Sequence, residues 1–182
     1  MILRVHGKNQ KSPRSLKELN VLMDSILESI NETGKHVDKV SETVGGIGNN
    51  LGDVAEEYFY SSLRRKKSLN GIKYDGVARN LTGFVDDKEW DLVLKNGNSV
   101  AVLEVKHKPH PNDILNFATK KLPYFRASLP EYANYKVYGG IAGMAFPSSL
   151  KHKAEDLGLM AITQDGGKVK TLNSPGFTPK PY

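Results

Sequence analysis

The sequence predicts an α/β domain with the element order α-β-β-β-α-β around a mixed central sheet, carried behind a long N-terminal coiled-coil helix. Three observations lead there. Apolar residues repeat at heptad spacing through the N-terminal part of the chain. Two strand-like runs flank Lys95-Asn96-Gly97-Asn98, whose Asn-Gly step is a strong hairpin signal. A helical pattern and then a further apolar, glycine-containing run follow that hairpin.

The first fifteen residues contain Gly7, Pro13 and many polar groups, and they read as a flexible N-terminus, 1–15. Leu16, Leu19, Met23, Ile26, Ile30, Thr33, Val37, Val40, Val44 and Ile47 then alternate at spacings of three and four, with polar residues between them. A seam sustained this long argues for a coiled coil over residues 16–47 rather than an ordinary surface helix. Roughly 30 helical residues extend about 45 Å. Left alone in water such a helix would expose its seam. The reading is therefore self-association, as a homodimer, and its alternative is a helix that folds back onto its own domain. Gly34 weakens the middle by about 1 kcal/mol relative to Ala, and Gly45-Gly46-Ile47-Gly48 predicts an interruption.

A globular unit over 48–172 follows. Its first helix is expected from Asn50 to Arg65, with Leu51, Ala55, Tyr58, Phe59, Ser62 and Leu63 on one side, ending at the Asn70-Gly71 turn. Strands are expected over Ile72–Ala78, Trp90–Leu94 and Ser99–Lys106, and a helix over Asn112–Leu129, with Ile114, Leu115, Ala118, Leu122 and Phe125 on one face. A strand over Tyr135–Phe146, a short helix over Ser148–Leu157 and a brief strand over Leu159–Thr163 complete the order. The proline-containing segment 173–182 reads as a flexible tail.

Composition narrows the function classes. The 182 residues contain 38% hydrophobic and 25% charged residues, no cysteine and a formal net charge of +6. A disulfide framework and thiolate metal sites are thereby excluded. No apolar run reaches membrane-spanning length, and residues 1–15 lack the apolar stretch of a secretory signal, so the expectation is a cytoplasmic protein with no membrane partner. The basic surplus suits a polyanion partner. It clusters at Arg64-Arg65-Lys66-Lys67, Lys106-His107-Lys108, Lys120-Lys121 and Lys151-His152-Lys153. Gly45-Gly46-Ile47-Gly48 lacks the Lys-Ser/Thr that a phosphate-cradling loop requires, so an ATP site is rejected.

The hairpin permits a geometric argument. A two-residue loop at Asn96-Gly97, or a four-residue loop from Lys95 to Asn98, places Leu94 opposite Ser99 and Asp91 opposite Val102. Side chains alternate along a strand, and directly opposed residues share a face. Asp91, Val102, Glu104 and Lys106 then point one way, with Glu104 diagonal to Asp91, while Leu103 and Val105 point the other way. Two carboxylates so placed repel each other unless a cation joins them. A magnesium ion accepts a few carboxylate oxygens and keeps waters, and it can polarise a phosphodiester and acidify a bound water.

Glu89-Trp90-Asp91 followed by Val102-Leu103-Glu104-Val105-Lys106 resembles the PD-(D/E)XK nuclease superfamily, whose restriction-endonuclease-like core has the α-β-β-β-α-β order read above. The resemblance spans roughly 50–163, and Trp90 stands where that family's variable proline would be. It implies a magnesium-dependent hydrolase of phosphodiester bonds, with manganese able to substitute and DNA the expected substrate. Asp91 and Glu104 would hold the metal with the Val105 carbonyl, Lys106 would activate water, and Glu56 would tune the site or hold a second ion, with Glu57 as the fallback. The long heptad helix is similar to that of bacterial members whose role is unassigned. Lys108, Lys120, Lys121 and His110 are expected to grip nucleic-acid phosphates. Trp90 reads as a core or rim residue rather than a base-stacking one, Asp86 and Asp87 as turn residues, and Tyr135 and Tyr138 as packing residues. Two rivals remain: a non-cleaving nucleic-acid- or protein-binding module on the same fold, and a structural protein in which the coiled coil is the main function.

Overall fold

The computed structural model describes residues 15–69 and 71–182. Apart from Ser15, the segment expected to be flexible at the N-terminus lies outside the described residues. The chain divides into two compact units, with the boundary between Ile47 and Gly48.

Helix α1 covers Leu16–Lys66 without a break. The Ser15 hydroxyl accepts the Glu18 N–H at 3.3 Å, an N-terminal cap that satisfies one orphan donor. The expected interruption at Gly45-Gly46-Ile47-Gly48 is not observed. These glycines lower helix stability by about 1 kcal/mol each, but their backbone stays helical and the ladder runs through them. In the N-terminal unit every α1 residue is exposed, the seam included: Met23 is 61%, Ile30 62%, Val37 58% and Val40 62% accessible.

In the second unit α1 buries Ala55, Phe59, Ser62 and Leu63, as its apolar stripe requires, while Leu51 stays exposed. Lys67 then takes a positive φ, and its carbonyl accepts the Tyr74 N–H at 2.7 Å. The single strand expected over Ile72–Ala78 divides in two. A small hairpin pairs β1 (Ser68–Leu69) with β2 (Ile72–Lys73), and β3 (Gly76–Thr82) joins the main sheet.

That sheet contains β3, β4 (Glu89–Asn96), β5 (Ser99–Lys106), β6 (Lys136–Gly143), β7 (Met160–Asp165) and β8 (Lys168–Thr171), adjacent in that order. β3, β4 and β5 are antiparallel neighbours, β5, β6 and β7 are parallel, and β8 returns antiparallel. The α-β-β-β-α-β order around a mixed sheet is therefore present, and β8 is an addition that the sequence reading missed.

The helix expected over Asn112–Leu129 is built from four pieces. α2 (Pro111–Asn116) opens into a π-helical turn over Phe117–Lys121, tightens to a 3₁₀ turn over Leu122–Tyr124 and ends in α3 (Phe125–Ser128). Pro123 explains the change of pitch. It has no N–H for the ladder, and its ring would meet the carbonyl four residues back in a regular helix. The Leu122 N–H reaches instead to the Phe117 carbonyl. After β6, a 3₁₀ turn over Ser148–Leu150 leads into α4 (Lys151–Asp156).

The sheet is covered on both faces. Along β5, Val100 and Val102 pack with Ile114, Phe117, Leu122, Phe125 and Ile141 on the α2 side. Ala101, Leu103 and Val105 pack with Ala55, Phe59 and Leu63 of α1 on the other. β6 crosses beneath both layers at Gly139 and Gly140. A Cβ at Gly139 would stand 2.2 Å from the Leu122 side chain, and one at Gly140 would stand 2.7 Å from that of Leu103.

The segment expected to be a flexible tail is docked. Asn173 accepts the Ala161 N–H at 2.9 Å, and Lys180 N–H bonds the Gly158 carbonyl at 3.0 Å. Tyr182 N–H bonds the Val137 carbonyl at 2.8 Å, and its hydroxyl donates to the Leu157 carbonyl at 2.5 Å. Its prolines confine the chain without preventing these bonds, because other residues supply the donors.

Candidate active site

The β4–β5 hairpin turns on Gly97-Asn98 rather than Asn96-Gly97, because Asn96 pairs with Ser99. Gly97 has φ +54, at the first central position, where a II′ turn takes glycine. The Asp75 carboxylate accepts its N–H at 2.7 Å. Leu94 therefore faces Ala101 and Leu92 faces Leu103. The expected pairing of Asp91 with Val102 is corrected by two residues: continued one step, the register sets Asp91 against Glu104. An even shift preserves the face along β5, but alternation along β4 breaks between Trp90 and Leu92, because Trp90 packs with Val93 on the α2 side and Leu92 packs on the α1 side.

Regular pairing stops at Leu92–Leu103, and the strand ends part there. Asp91 fills the opening by accepting the Val105 N–H on Oδ2 at 2.7 Å. Trp90 turns into the core on the α2 side, fully buried against Phe125, and its Nε1–H donates to the Ser128 hydroxyl at 3.0 Å. Ser128 passes the chain of bonds on to Asp86 at 2.8 Å. Trp90 is thus a structural anchor, and Asp86 ties the preceding loop to it.

Asp91, Glu104 and Lys106 are brought together, and Lys121 joins them. The Lys106 ammonium lies 2.8 Å from Glu104 Oε1. That of Lys121 lies 2.5 Å from Glu104 Oε2 and 3.6 Å from Asp91 Oδ1. Both carboxylate side chains are only 11% exposed. Lys121 ends the π-helical turn and also stands over the Trp90 ring at 5.5 Å. Sequence reading assigned it to phosphate contact on the surface; here it sits inside the acid pair. No short-range pattern signals this, because a regular helix and a π-helical turn aim the same residue differently.

The electrostatics follow from that geometry. Burial and the neighbouring Glu104 charge hold the Asp91 carboxyl above the usual range, against the pull of Lys121. For Glu104, burial acts upward but the two lysines outweigh it, so its carboxyl is held low. Burial favours the neutral amine of Lys106, yet Glu104 overrides this and raises its pKa, so Lys106 is an ammonium at neutral pH.

Glu56 and Glu57 separate clearly. Glu56 is half-buried, and burial followed by the Asp91, Glu89 and Asp53 charges raises its pKa. Glu57 is exposed and ion-paired with Arg79. Glu56 is therefore the acid that feels the site. Among the described residues, however, no three His, Cys, Asp or Glu side chains gather to hold an ion, so Glu56 does not complete a three-acid cluster with Asp91 and Glu104.

Two carboxylate oxygens already converge on one cation, the Lys121 ammonium. A hard-oxygen pair of this kind fits a magnesium-type ion, which needs one or two carboxylates and keeps its waters. Glu104 of the pair lines a groove of about 580 Å³, together with Lys88, Glu89, Lys106, Asp113, Asn116, Phe117, Lys120 and Lys121. Lys120 is thus placed at the groove. Lys108 and His110 are exposed and do not line it, because the turn around buried Pro109 carries them away and His110 N–H bonds the Asp113 carboxylate at 2.7 Å.

Among the described residues, no helix is long and apolar enough to cross a membrane. No family model matches the chain, and no curated protein matches it. Among solved structures, a chain of the EndoMS-dsDNA2 complex is similar over 61% of this chain, at 15% identity and a TM-score of 0.40. The matched part spans 44% of that other chain's length.

Proposed function

We propose that this protein is a metal-dependent nuclease of the PD-(D/E)XK type, hydrolysing phosphodiester bonds in DNA. The observation that carries the reading is the convergence of Asp91 and Glu104 on a single cation, with Lys106 beside them at the head of an open basic groove. A purely structural role leaves two nearly buried acids and two amines at the parted end of two strands without a purpose.

Asp91 and Glu104 would hold the ion through the oxygens that now face Lys121. Such an ion supplies Lewis acidity toward a phosphodiester and lowers the pKa of a water. Lys106, as an ammonium, orients water through its N–H donors and stabilises growing negative charge rather than taking a proton. The bond from Val105 N–H fixes the Asp91 carboxylate before anything binds. Glu56 adds negative potential behind Asp91. Lys88 and Lys120 on the groove wall attract backbone phosphates. The exposed seam of α1 supports self-association of two copies, with apolar side chains covered between them.

The test is cleavage of plasmid and single-stranded DNA with magnesium or manganese, comparing the native chain with Asp91→Ala and Lys106→Ala. Metal-dependent cutting lost in both variants is the expected result. Binding without cutting by the native chain replaces the enzyme with a binding module.

A further inference from the structure

A second basic groove lies at the same edge of the sheet as Lys106. β5, β6 and β7 are parallel and aligned so that Lys106 pairs with Gly143 and Gly143 with Thr163. The turn between β7 and β8, at Gly166-Gly167, therefore leaves the sheet where Lys106 does. At about 4.8 Å per strand, it is displaced sideways by roughly 10–14 Å. α1 makes the same crossing. Glu56 stands near Asp91, and Arg65 follows it roughly 14 Å further along the helix.

The groove, of about 400 Å³, is formed where the last turns of α1 meet this hairpin, with Arg65, Lys66, Gly166, Gly167 and Lys168 among its walls. Arg64 on α1 and Lys67 just after it continue the charge, and Lys170 continues it on β8. Asp165 is the nearby acid, and it is paired with Lys170 at 3.3 Å. Arg65, Lys66 and Lys168 have no ion-pair partner among the described residues. Gly166 and Gly167 hold positive φ angles with open space beside them, so the backbone there can be approached closely. Asp165 also stands across the hairpin from Lys168 but pairs with Lys170, so the remaining like charges on the two elements repel until an anion arrives.

We propose that this groove is a second nucleic-acid contact, which binds backbone phosphates of DNA a few nucleotides from the bond cut at Lys106. Its ligand class rests on the nuclease reading of the acid pair. The sideways offset of roughly 14 Å corresponds to about four base pairs along a duplex at 3.4 Å per pair.

The experiment is a binding titration of fluorescent duplex DNA in EDTA over a range of salt, with the full chain. Arg65→Ser/Lys66→Ser/Lys168→Ser is compared with a charge-matched control, Lys136→Ser/Lys151→Ser/Lys153→Ser, after melting curves establish that both are folded. The groove variant is expected to lose about tenfold or more in affinity at moderate salt. Its slope of log K against log salt should fall by about 0.9 for each phosphate contact removed. The control should change far less. A duplex too short to span both grooves should not distinguish the groove variant from the native chain. Equal losses in the groove variant and the control, or an unchanged salt slope, overturn the proposal. If the native chain binds through this groove but never cleaves, the second contact stands and the nuclease reading falls. If the native chain binds no DNA, both fall.

Discussion

The two halves of α1 have the same backbone and opposite environments. Before Gly48 its apolar residues are all exposed, whereas after Gly48 Ala55, Phe59 and Leu63 are almost wholly buried against the sheet. Neither helix propensity nor apolar content separates the halves. The spacing does. The first half repeats strictly at three and four, which makes a narrow seam suited to another helix. The second carries bulky aromatics on a broader stripe suited to a flat sheet. Local structure is shared, and the environment of each face differs: the first half leaves its seam exposed, and the second builds the fold beneath the acid pair.

The largest test of that contrast is truncation on each half. Phe59→Ala should cost about 3–5 kcal/mol of unfolding free energy. Val40→Ala, exposed in the single chain, should leave the unfolding of the globular unit within about 0.5 kcal/mol. Denaturant melts followed by the Trp90 fluorescence read the difference. Comparable losses at both positions would erase the distinction.

The next test is functional. Lys106→Ala should reduce cleavage by about 100-fold or more, as when one charge-stabilising donor is removed, and leave the association state unchanged. Conversely, Ile30→Asp/Val37→Asp should abolish self-association in sedimentation experiments while the melting of the globular unit stays fixed. A seam variant that unfolds the sheet would show that the first half folds back onto it.

A finer test uses the opposed titration of the two acids. Asp91 is held high, so its ionised form opposes folding at neutral pH. Asp91→Asn should raise the metal-free melting temperature there, and the gain should vanish below about pH 4, where the carboxyl is protonated in both folded and unfolded chains. Glu104 is held low, so its charge supports folding. Glu104→Gln should lower the melting temperature at neutral pH, with the difference closing as pH falls through the depressed pKa. Shifts of the same sign for both variants would mean that Lys121 serves the two acids alike. The smallest expected effect is at that lysine. Lys121→Met should tighten manganese binding several-fold, measured by calorimetry, because a resident cation no longer competes with the ion.

Much of this site was legible along the chain. The bounds of β5, Ser99–Lys106, and its alternation follow from local pattern, and they set Glu104 and Lys106 on one face. The register error came from the turn. Asn-Gly suggested a loop centred on both residues, but the Asp75 carboxylate, distant in sequence, stabilises a turn one residue later. The docking of the C-terminal segment escapes local pattern for a similar reason. Its prolines signal a break in regular structure, whereas its docking depends on carbonyls of Val137, Leu157 and Gly158 that no local window contains.

The sequence by itself determined the α-β-β-β-α-β core order, the heptad seam and the faces of β5, because each depends on periodicity within a few residues. Only the tertiary structure decided that Lys121 enters the acid pair, that Glu56 rather than Glu57 feels it, and that Arg65 and Lys168 share a groove. Those outcomes depend on how a proline-widened turn, one helix and a terminal hairpin pack across a twisted sheet. Packing of that kind joins residues by distance in space, which spacing along the chain does not encode.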